Sequence, residues 1–299
     1  MNCQSIRNKT SGILQHILNN NIGLCFLQET FMTVNDEAIV NEVREMGMKM
    51  YSIPREHGEH GGLGLIYNPC INIKLVSKTK LLKYKTFEYS EFTLRTVECS
   101  LRFCNVYRRP YSEKHRFTIT QFLTEFDEYL TALVDKPGLP VILGDLNIHL
   151  EKLNDAHAII LKDMFDQFNF TRSIHEYPYT QKLGGQLDVI FYSEAIPSSI
   201  SKAIVYPDGT QSDHYMVSCS LQCKIEKKES TTVENYRNFK SIDIDKFKID
   251  LKASPLCKTV TLPECAESIG IIANMYNDEL AKLMDKHCPI LQKKKKRYK

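Results

Sequence analysis

Residues 140–147 read PVILGDLN, and this stretch constrains the fold more than any other part of the 299-residue chain. Apolar residues suited to a buried strand stop at Gly144, and Asp145 and Asn147 then follow two residues apart. Because residues i and i+2 point to the same side of an extended chain, the acid and the amide would lie together at the rim of a sheet. Open α/β folds bind their ligands at such rims, although an ordinary Asp-Asn turn can have the same sequence.

Helix-like and strand-like segments alternate over the first 223 residues. Helical periodicity covers residues 10–20, 36–46, 114–134 and 155–168, and strand-like runs cover 22–28, 187–193 and 215–221. Residues 71–107 alternate apolar and polar side chains in several bursts, which indicates antiparallel strands with one wet face. The sequence therefore predicts an α/β or α+β body.

The sequence changes in character after Cys223. Residues 224–240 are charged and poor in turn residues, and we interpret them as a linker. Residues 241–299 contain two helical patterns and end in the basic run KKKKRYK, so we predict a small helical extension with a basic tail. Such a run suits nucleic acid or a nuclear-import receptor, and a solvated tail is the alternative.

Composition excludes several classes of protein. No apolar run approaches the roughly 18 residues that a membrane span requires, and no secretory signal is visible at the N-terminus. The ten cysteines form no C-x-x-C pair and have no zinc-ligand spacing with histidine. We therefore expect buried free thiols, an intracellular location in a reducing compartment, and no membrane contact.

Polar residues recur at the ends of the predicted strands, as Asp145 and Asn147 do after PVIL. The further members of this set are Glu29, Tyr107, Asp188, Asp213 and His214. Burying an unpaired charge is costly, so acidic and imidazole groups do not gather at strand ends for packing. A single polar residue at a strand end would carry no functional meaning, whereas the number found here indicates a functional site.

The chemistry of these side chains fits phosphodiester hydrolysis. Glu29 is a hard oxygen ligand of the kind that Mg²⁺ takes from proteins. Asp188 can pair with His214, which would fix the imidazole tautomer and raise the histidine pKa. Asp145 can hold or deprotonate a water, and Asn147 can orient that water or the phosphate.

Tyr107 can donate a hydrogen bond to a phosphate oxygen. A metal ion, a positioned water and donors around a phosphate are the parts that hydrolysis of a phosphodiester needs. The sequence therefore predicts a metal-dependent phosphodiesterase site.

The ordered motifs NCQS, LQET, GGLGLIYN, NVYRRP, GDLN, LDVIF and SDH resemble the endonuclease/exonuclease/phosphatase superfamily. Within it, residues 2 to about 221 are similar to the apurinic-endonuclease-like domain of non-LTR (LINE-type) retrotransposons. SPLC at 254–257 and LMDKHCPI at 283–290 resemble the connector that follows this domain in such elements. No polymerase motif is present in the sequence.

The resemblance implies a four-layer sandwich, in which two mixed β-sheets lie face to face with helices outside. Residues 1–223 would form this domain, with its first strand truncated because only Met1 precedes Asn2. The implied activity is Mg²⁺-dependent nicking of DNA, with Mn²⁺ as a substitute. The cut would leave a 3′-hydroxyl that primes reverse transcription. DNA would be the partner, with no obligate protein partner, and the nucleus the location.

The resemblance also assigns roles to residues. Glu29 would hold the metal with Asn2 beside it, and Asp213 would be a further metal ligand or an orienting carboxylate. The implied catalytic residues are Asp145, Asn147, Asp188, His214 and Tyr107, and the implied DNA-phosphate contacts are Arg108, Arg109 and Asn147. The sequence leaves open whether Asp145 or His214 acts as the general base.

Two other functions are compatible with the sequence. A catalytically impaired, retrotransposon-derived remnant would bind DNA or protein without turnover, as the truncated first strand and the missing polymerase suggest. A member of the same superfamily could also hydrolyse a phosphoinositide or sphingomyelin, but the basic tail and the connector-like segments favour DNA.

Overall fold

The computed structural model describes residues 1–55, 60–79, 83–113, 116–173, 179–207, 212–225, 230–257 and 267–297. The chain divides into two compact units, Met1–Lys228 and Glu229–Lys299.

Helices and strands alternate in the first unit. Its helices are α1 (Thr10–Asn19), α2 (Glu37–Glu45), α3 (Ile119–Val134) and α4 (Ala156–Gln167). Its strands are β1 (Leu24–Gln28), β2 (Lys49–Ile53), β3 (Leu63–Tyr67), β4 (Ile73–Lys78), β5 (Phe87–Arg95), β6 (Ser100–Arg108), β7 (Leu139–Asp145), β8 (Phe170–Arg172), β9 (Asp188–Ser193), β10 (Ile204–Tyr206) and β11 (Met216–Ser218).

The four predicted helices are confirmed, and α3 begins five residues later than its periodicity suggested. The delay has a local cause, because Thr118 forms a capping box with Gln121. The threonine side chain accepts from the Gln121 amide at 3.2 Å, and the glutamine side chain accepts from the Thr118 amide at 2.9 Å. These bonds satisfy free amides of the first turn and fix the helix start there.

Two main sheets form the body of the first unit. The smaller has the order β1-β3-β2 and is antiparallel. The larger has the order β4-β5-β6-β7-β9-β8, in which β6 and β7 run parallel and the other neighbours run antiparallel. The strands β10 and β11 form a separate two-stranded antiparallel sheet.

Three hydrophobic clusters lie between four layers of structure. Val43 of α2 belongs to the cluster beneath α1 and α2 on the smaller sheet. Phe26 of β1 stacks on Phe103 of β6, with ring centroids 5.5 Å apart, so the two sheets pack face to face. Phe165 of α4 stacks on Phe191 of β9 on the other face of the larger sheet. This order of helices, sheet, sheet and helices is the predicted four-layer sandwich.

A buried amide pair links the two sheets. Gln28 Nε2 donates to Asn105 Oδ1 at 2.5 Å, and Asn105 Nδ2 donates to the carbonyl of Leu27 at 3.0 Å. Buried polar groups are costly unless they are hydrogen-bonded, so this pair favours one alignment of the sheets. Gln28 directly precedes Glu29, and Asn105 lies two residues before Tyr107. The pair therefore fixes the strands that deliver both side chains.

The first three residues pair in parallel with the end of β1. The Met1 amino group donates to the Phe26 carbonyl at 3.0 Å, and the Gln28 amide donates to the Met1 carbonyl at 3.0 Å. The Cys3 amide donates to the Gln28 carbonyl at 2.9 Å. Although one residue precedes it, Asn2 is thereby held opposite Gln28 at the end of β1.

The second unit contains strands as well as helices. It comprises β12 (Ser230–Arg237), α5 (Ile244–Ala253), α6 (Glu267–His287) and β13 (Ile290–Arg297), with 3₁₀ turns at Phe239–Ser241 and Pro255–Cys257. The helices correspond to the two predicted patterns. Asp250 of α5 accepts from Lys286 at 2.6 Å and from His287 at 2.7 Å in α6, which joins the two helices.

The prediction of a linker at 224–240 is wrong where β12 lies, and the predicted basic tail includes part of the strand β13. These strands pair antiparallel along their whole length, from Ser230 opposite Arg297 to Arg237 opposite Ile290. The β-branched run Thr-Thr-Val in β12 has strand propensity, but its partner lies at the other end of the unit. Residues 226–229 of the predicted linker lie outside the described residues.

No described helix has both the length and the apolar character needed to cross a membrane. The nine cysteines within the described ranges are free thiols, and Cys265 lies outside those ranges. Burial raises the pKa of the Cys3 thiol to about 12 and that of Cys25 to about 11. Both are therefore neutral thiols of the core, as the sequence predicted.

Candidate active site

Polar residues from both sheets meet at one rim of the sandwich. Within the larger sheet, Tyr107 of β6 lies opposite Asp145 of β7, and Asp145 lies opposite Asp188 of β9. Three neighbouring strands thus carry their polar residues at the same level. Glu29 directly follows β1 of the smaller sheet and reaches the same place. The strand-end residues singled out in the sequence are brought together.

Asn2 connects the two sheets at the centre of this rim. Its Nδ2 donates to Glu29 Oε1 at 3.0 Å and to Asp145 Oδ2 at 2.9 Å. The Tyr107 hydroxyl donates to the same Glu29 oxygen. Burial, followed by the neighbouring Glu29 charge, raises the pKa of Tyr107, so its proton stays on the phenol. Tyr107 therefore bonds to the expected metal ligand, where the sequence suggested a phosphate contact.

His214 lies among three carboxylates. Its Nδ1 is 2.8 Å from Asp188 Oδ2, and its Nε2 is 3.8 Å from Asp145 Oδ2 and 3.9 Å from Asp213 Oδ1. Burial alone would lower the pKa of His214, but the Asp188 charge and hydrogen bond, with Asp145 and Asp213, raise it to about 9. The imidazole is therefore protonated at neutral pH, with Asp188 fixing its orientation.

Asp145 is fully buried, and burial raises its pKa to about 7. The Asp188 charge adds to this rise, whereas His214, Asn2 and the Asn147 amide oppose it. The Asn147 amide donates to Asp145 Oδ1 at 2.9 Å, and its side-chain Nδ2 donates to Oδ2 at 3.2 Å. This carboxyl group can therefore exchange a proton near neutral pH.

Arg108, for which the resemblance implied a DNA-phosphate contact, supports the loop after β7. Its side chain is buried, with Nε donating to the Leu146 carbonyl at 2.5 Å and Nη2 donating to the Asn147 carbonyl at 2.6 Å. Asn147 Nδ2 in turn donates to the Arg108 carbonyl at 2.8 Å. The guanidinium thus satisfies loop carbonyls. Arg109 is half-buried beside the site.

Two site residues have left-handed backbone conformations. Glu29 and Asn147 both have φ near 51°. Such values are uncommon for residues other than glycine and cost free energy that the surrounding structure must offset. The turn at Glu29 lies directly after β1, and the turn at Asn147 lies two residues after β7 ends. Strained residues of this kind cluster at functional sites.

Two hydroxyl groups that the sequence did not single out position the catalytic candidates. Thr180 Oγ1 accepts from the Asp188 amide at 3.2 Å. Ser212 Oγ donates to the Asn2 carbonyl at 2.9 Å and accepts from the His214 amide at 3.2 Å. Ser212 belongs to the SDH motif, which is a visible signal. Thr180 lies in the loop before β9, where no pattern marks it.

The described residues contain no group of three or more His, Cys, Asp or Glu side chains placed to hold a metal ion. Glu29 and Asn2 lie together, whereas Asp213 lies near His214 and accepts from Gln181 Nε2 at 3.3 Å. Mg²⁺ is commonly bound through one or two carboxylates, with waters and substrate phosphate completing its shell. The Glu29 carboxylate is a ligand of the type that such an ion takes.

The pKa of His214 can be measured directly in the metal-free protein. We expect a value near 9 in a ¹³C-histidine NMR titration, and a fall toward the ordinary value of about 6.5 in Asp188→Asn. The raised pKa implies stabilisation that is fully present below the unfolded-state pKa and lost as pH rises through about 9. His214→Gln assigns the resonance. A wild-type value near 6.5 would contradict the proposed charge state.

A family model described as endonuclease-reverse transcriptase matches residues 101–218. That segment contains β6 from its second residue, the GDLN loop, Asp188 and the SDH motif. Residues 101–218 are therefore similar to this family, and the fold is that of the endonuclease/exonuclease/phosphatase superfamily. Members of that superfamily are hydrolases of phosphate esters. No curated protein sequence matches the chain significantly.

Solved structures with the superfamily fold resemble the chain at low sequence identity. The endonuclease domain of TRAS1, a telomere-specific non-LTR retrotransposon, is 15% identical with a TM-score of 0.56, covering 76% of this chain and 97% of its own. The APE2 catalytic domain of Xenopus laevis is 14% identical with a TM-score of 0.57, and the alignment covers 77% of this chain and 92% of that domain. The 3′ phosphatase NExo from Neisseria, bound to product DNA hairpin, is 18% identical with a TM-score of 0.54. The alignment covers 74% of this chain and 97% of the phosphatase.

These structures share the fold but differ in the reaction that their names state. An endonuclease and a 3′ phosphatase both occur among them, so the superfamily fold alone does not select the bond that is cleaved. The choice of substrate must therefore be argued from the residues of this site.

Proposed function

We propose that the unit Met1–Lys228 is a metal-dependent endonuclease that nicks DNA and leaves a 3′-hydroxyl. The observation that carries the proposal is the line Asp188, His214 and Asp145, with Asn2 joining Asp145 to Glu29. In this proposal a carboxylate base, a cationic donor and a metal-binding carboxylate act on one phosphate. The family model and the similarity to the TRAS1 domain support a nuclease of the retrotransposon type. A 3′-hydroxyl there would prime reverse transcription, and we propose the nucleus as the location.

Asp145 is the proposed general base. Its pKa of about 7 lies near the pH at which such an enzyme works, which is the value that general base catalysis favours. Asp145 would accept a proton from the attacking water, and Asn147 would hold that carboxylate through its two donors. His214, kept cationic by Asp188, would donate from Nε2 to an oxygen of the phosphate.

Glu29 is the proposed ligand for Mg²⁺ or Mn²⁺, with Asn2 and Tyr107 holding its Oε1 in place. When bound, such an ion polarises a phosphoryl oxygen and stabilises the charge that develops there. Asp213 is proposed to orient His214 from the other side of the imidazole.

Nicking of supercoiled plasmid DNA tests the proposal. We expect conversion to the relaxed form with Mg²⁺ or Mn²⁺ and none in EDTA. A DNA polymerase should extend the nicked ends without prior phosphatase treatment, because a 3′-hydroxyl is left. Salt-sensitive DNA binding with no metal-dependent nicking would instead identify a non-catalytic remnant. Hydrolysis of inositol phosphates but not of DNA would reassign the substrate.

A further inference from the structure

A cavity of about 320 Å³ lies inside the first unit, between β1 and β11. Residues 24–26 of β1 line one side of it, and residues 216–221, which begin with β11, line the other. The inner face of the larger sheet forms its floor, through Phe103, Val141 and Leu143. A strand whose edge borders a cavity lines it with consecutive residues, whereas a strand seen face-on contributes alternate residues. The cavity is therefore a slot between two strand edges.

The backbone of β1 directs polar groups into this slot. In the smaller sheet β1 is an edge strand, paired with β3 on one side. The Gly23 carbonyl accepts from the Asn68 amide on that side, so the odd-numbered residues of β1 face β3 and the even-numbered residues face away from it. Phe26 and Gln28 pair there with the first three residues of the chain. Leu24 lies two residues before Phe26, so its amide and carbonyl point into the slot.

The pairing of the first three residues fixes the direction in which a strand would fill the slot. Asn2 lies opposite Gln28 in a parallel bridge, and Met1 lines the end of the slot. A strand that continued this ladder would run parallel to β1, accept from the Phe26 amide and donate to the Leu24 carbonyl. A purely apolar small molecule would leave these backbone groups without partners, which is costly in a buried place. The slot therefore suits a peptide strand.

The strands on either side show which side chains the occupant must carry. On β1, Phe26 belongs to the cluster between the two sheets, whereas Cys25 belongs to the cluster beneath α1 and α2. On β11, Val217 packs against the first of these clusters and Met216 belongs to the second. A strand between β1 and β11 would bury alternate side chains in both clusters. Strands buried on both faces have nearly continuous apolar sequences.

We propose that this slot binds an extended, uncharged apolar segment of a protein partner. The segment adds a strand of about five residues parallel to β1, and its side chains are apolar on both faces. An unpaired strand edge is a template for such an addition.

The bound strand would meet Met1, so it would act on the candidate active site. Asn2 is the next residue, and its side chain donates to Glu29 and Asp145. Asp188 also lines the slot. A strand that holds the backbone at Met1 would therefore hold Asn2 in place and accelerate nicking. The acceleration rests on the proposed function, whereas binding of the strand does not.

Binding of a synthetic peptide to the full chain without metal tests the slot. The probe carries a fluorophore and two lysines before the run Val-Ile-Val-Ile-Val, and fluorescence anisotropy gives its Kd. We expect saturable binding, and binding at least about tenfold weaker when every amide of the run is N-methylated, because the side chains remain while the backbone donors are lost. The run Val-Lys-Val-Lys-Val, apolar on one face, should also bind at least about tenfold more weakly. Absence of saturable binding, or equal binding of the N-methylated peptide, would overturn the proposal.

Substitutions and hydrogen exchange locate the bound peptide. Val217→Glu places a charge in the slot and should weaken binding at least about tenfold. The matched control Val76→Glu, on the exposed side of β4 outside the slot, should change it less than about twofold. In wild type, bound peptide should slow amide exchange at residues 24–26 about tenfold. Unchanged exchange there at saturation would overturn the proposal, whether or not Val217→Glu folds.

Cleavage distinguishes this inference from the proposed function. We expect saturating peptide to raise the rate of metal-dependent plasmid nicking about fivefold in wild type and to have no effect in Val217→Glu, because small displacements of site residues change rates strongly. Nicking that proceeds at an unchanged rate with the peptide bound would overturn the link to Asn2. Peptide binding without nicking of any DNA would instead retain the slot and refute the endonuclease.

Discussion

Asp145→Asn should lower the rate of metal-dependent plasmid nicking about 10³-fold, because a general base contributes roughly 10²–10⁴-fold to such reactions. Asparagine keeps the size of the side chain but cannot take the proton from water. Its remaining oxygen can still accept from the Asn147 amide, whereas its NH2 group cannot accept from the side chains of Asn2 and Asn147. The measurement is the initial nicking rate at saturating Mg²⁺ at about pH 8, above the Asp145 pKa of about 7.

The loss of activity should not come with a loss of stability. Burial raises the Asp145 pKa, so ionisation of this carboxyl destabilises the fold as pH rises from its ordinary pKa toward about 7. Asp145→Asn removes that cost but also loses the acceptor for two amide donors, so we expect its stability at pH 8 to stay close to that of wild type. Asp163→Asn, on the exposed side of α4, should leave both rate and stability unchanged. Nicking by Asp145→Asn within tenfold of wild type would exclude Asp145 as the base.

Gly144→Ala should destabilise the first unit by about 3 kcal/mol or more, through steric conflict and backbone strain. Gly144 has φ of 140°, and a Cβ built there would lie 1.9 Å from the Val106 carbonyl oxygen. Val106 is its partner in the parallel pairing of β6 with β7, so neither backbone can move without breaking the ladder. In a domain of this size the midpoint of thermal unfolding should fall by roughly 6–12 °C.

Gly12→Ala is the matched control for this substitution. Gly12 lies in α1, and no heavy atom lies within 4 Å of a Cβ built there. Alanine is favoured over glycine inside helices by about 1 kcal/mol, so this variant should be neutral or more stable. Equal unfolding midpoints for Gly144→Ala and Gly12→Ala would show that β6 and β7 are less closely packed than the structure indicates.

Local patterns predicted the alternation of helices and strands and the gathering of polar residues at the rim, whereas the four layers were implied by the resemblance. Strand periodicity located β7 and β9, and the polar residues at their ends could be identified without knowing the pairing. The resemblance added Asn2, whose central place depends on a contact with Asp145 far along the chain. No pattern within PVILGDLN indicates that contact.

Other features could not be predicted because they depend on contacts between residues far apart in the sequence. The strand β12 looks like a charged linker because its partner β13 lies at the opposite end of the second unit. The sequence also gives no sign that the Arg108 side chain is buried and donates to loop carbonyls. The left-handed backbone conformation of Glu29 could not be predicted either, because no glycine marks that position in the sequence.

The amide pair of Gln28 and Asn105 has a consequence for how this domain can be divided. It joins the sheet that carries Glu29 to the sheet that carries Asp145, immediately behind the residues proposed to react. Neither half of the sandwich holds a complete set of these residues. The smallest unit that can act is therefore the whole double sheet, and a minimal nuclease cannot be obtained by excising one layer.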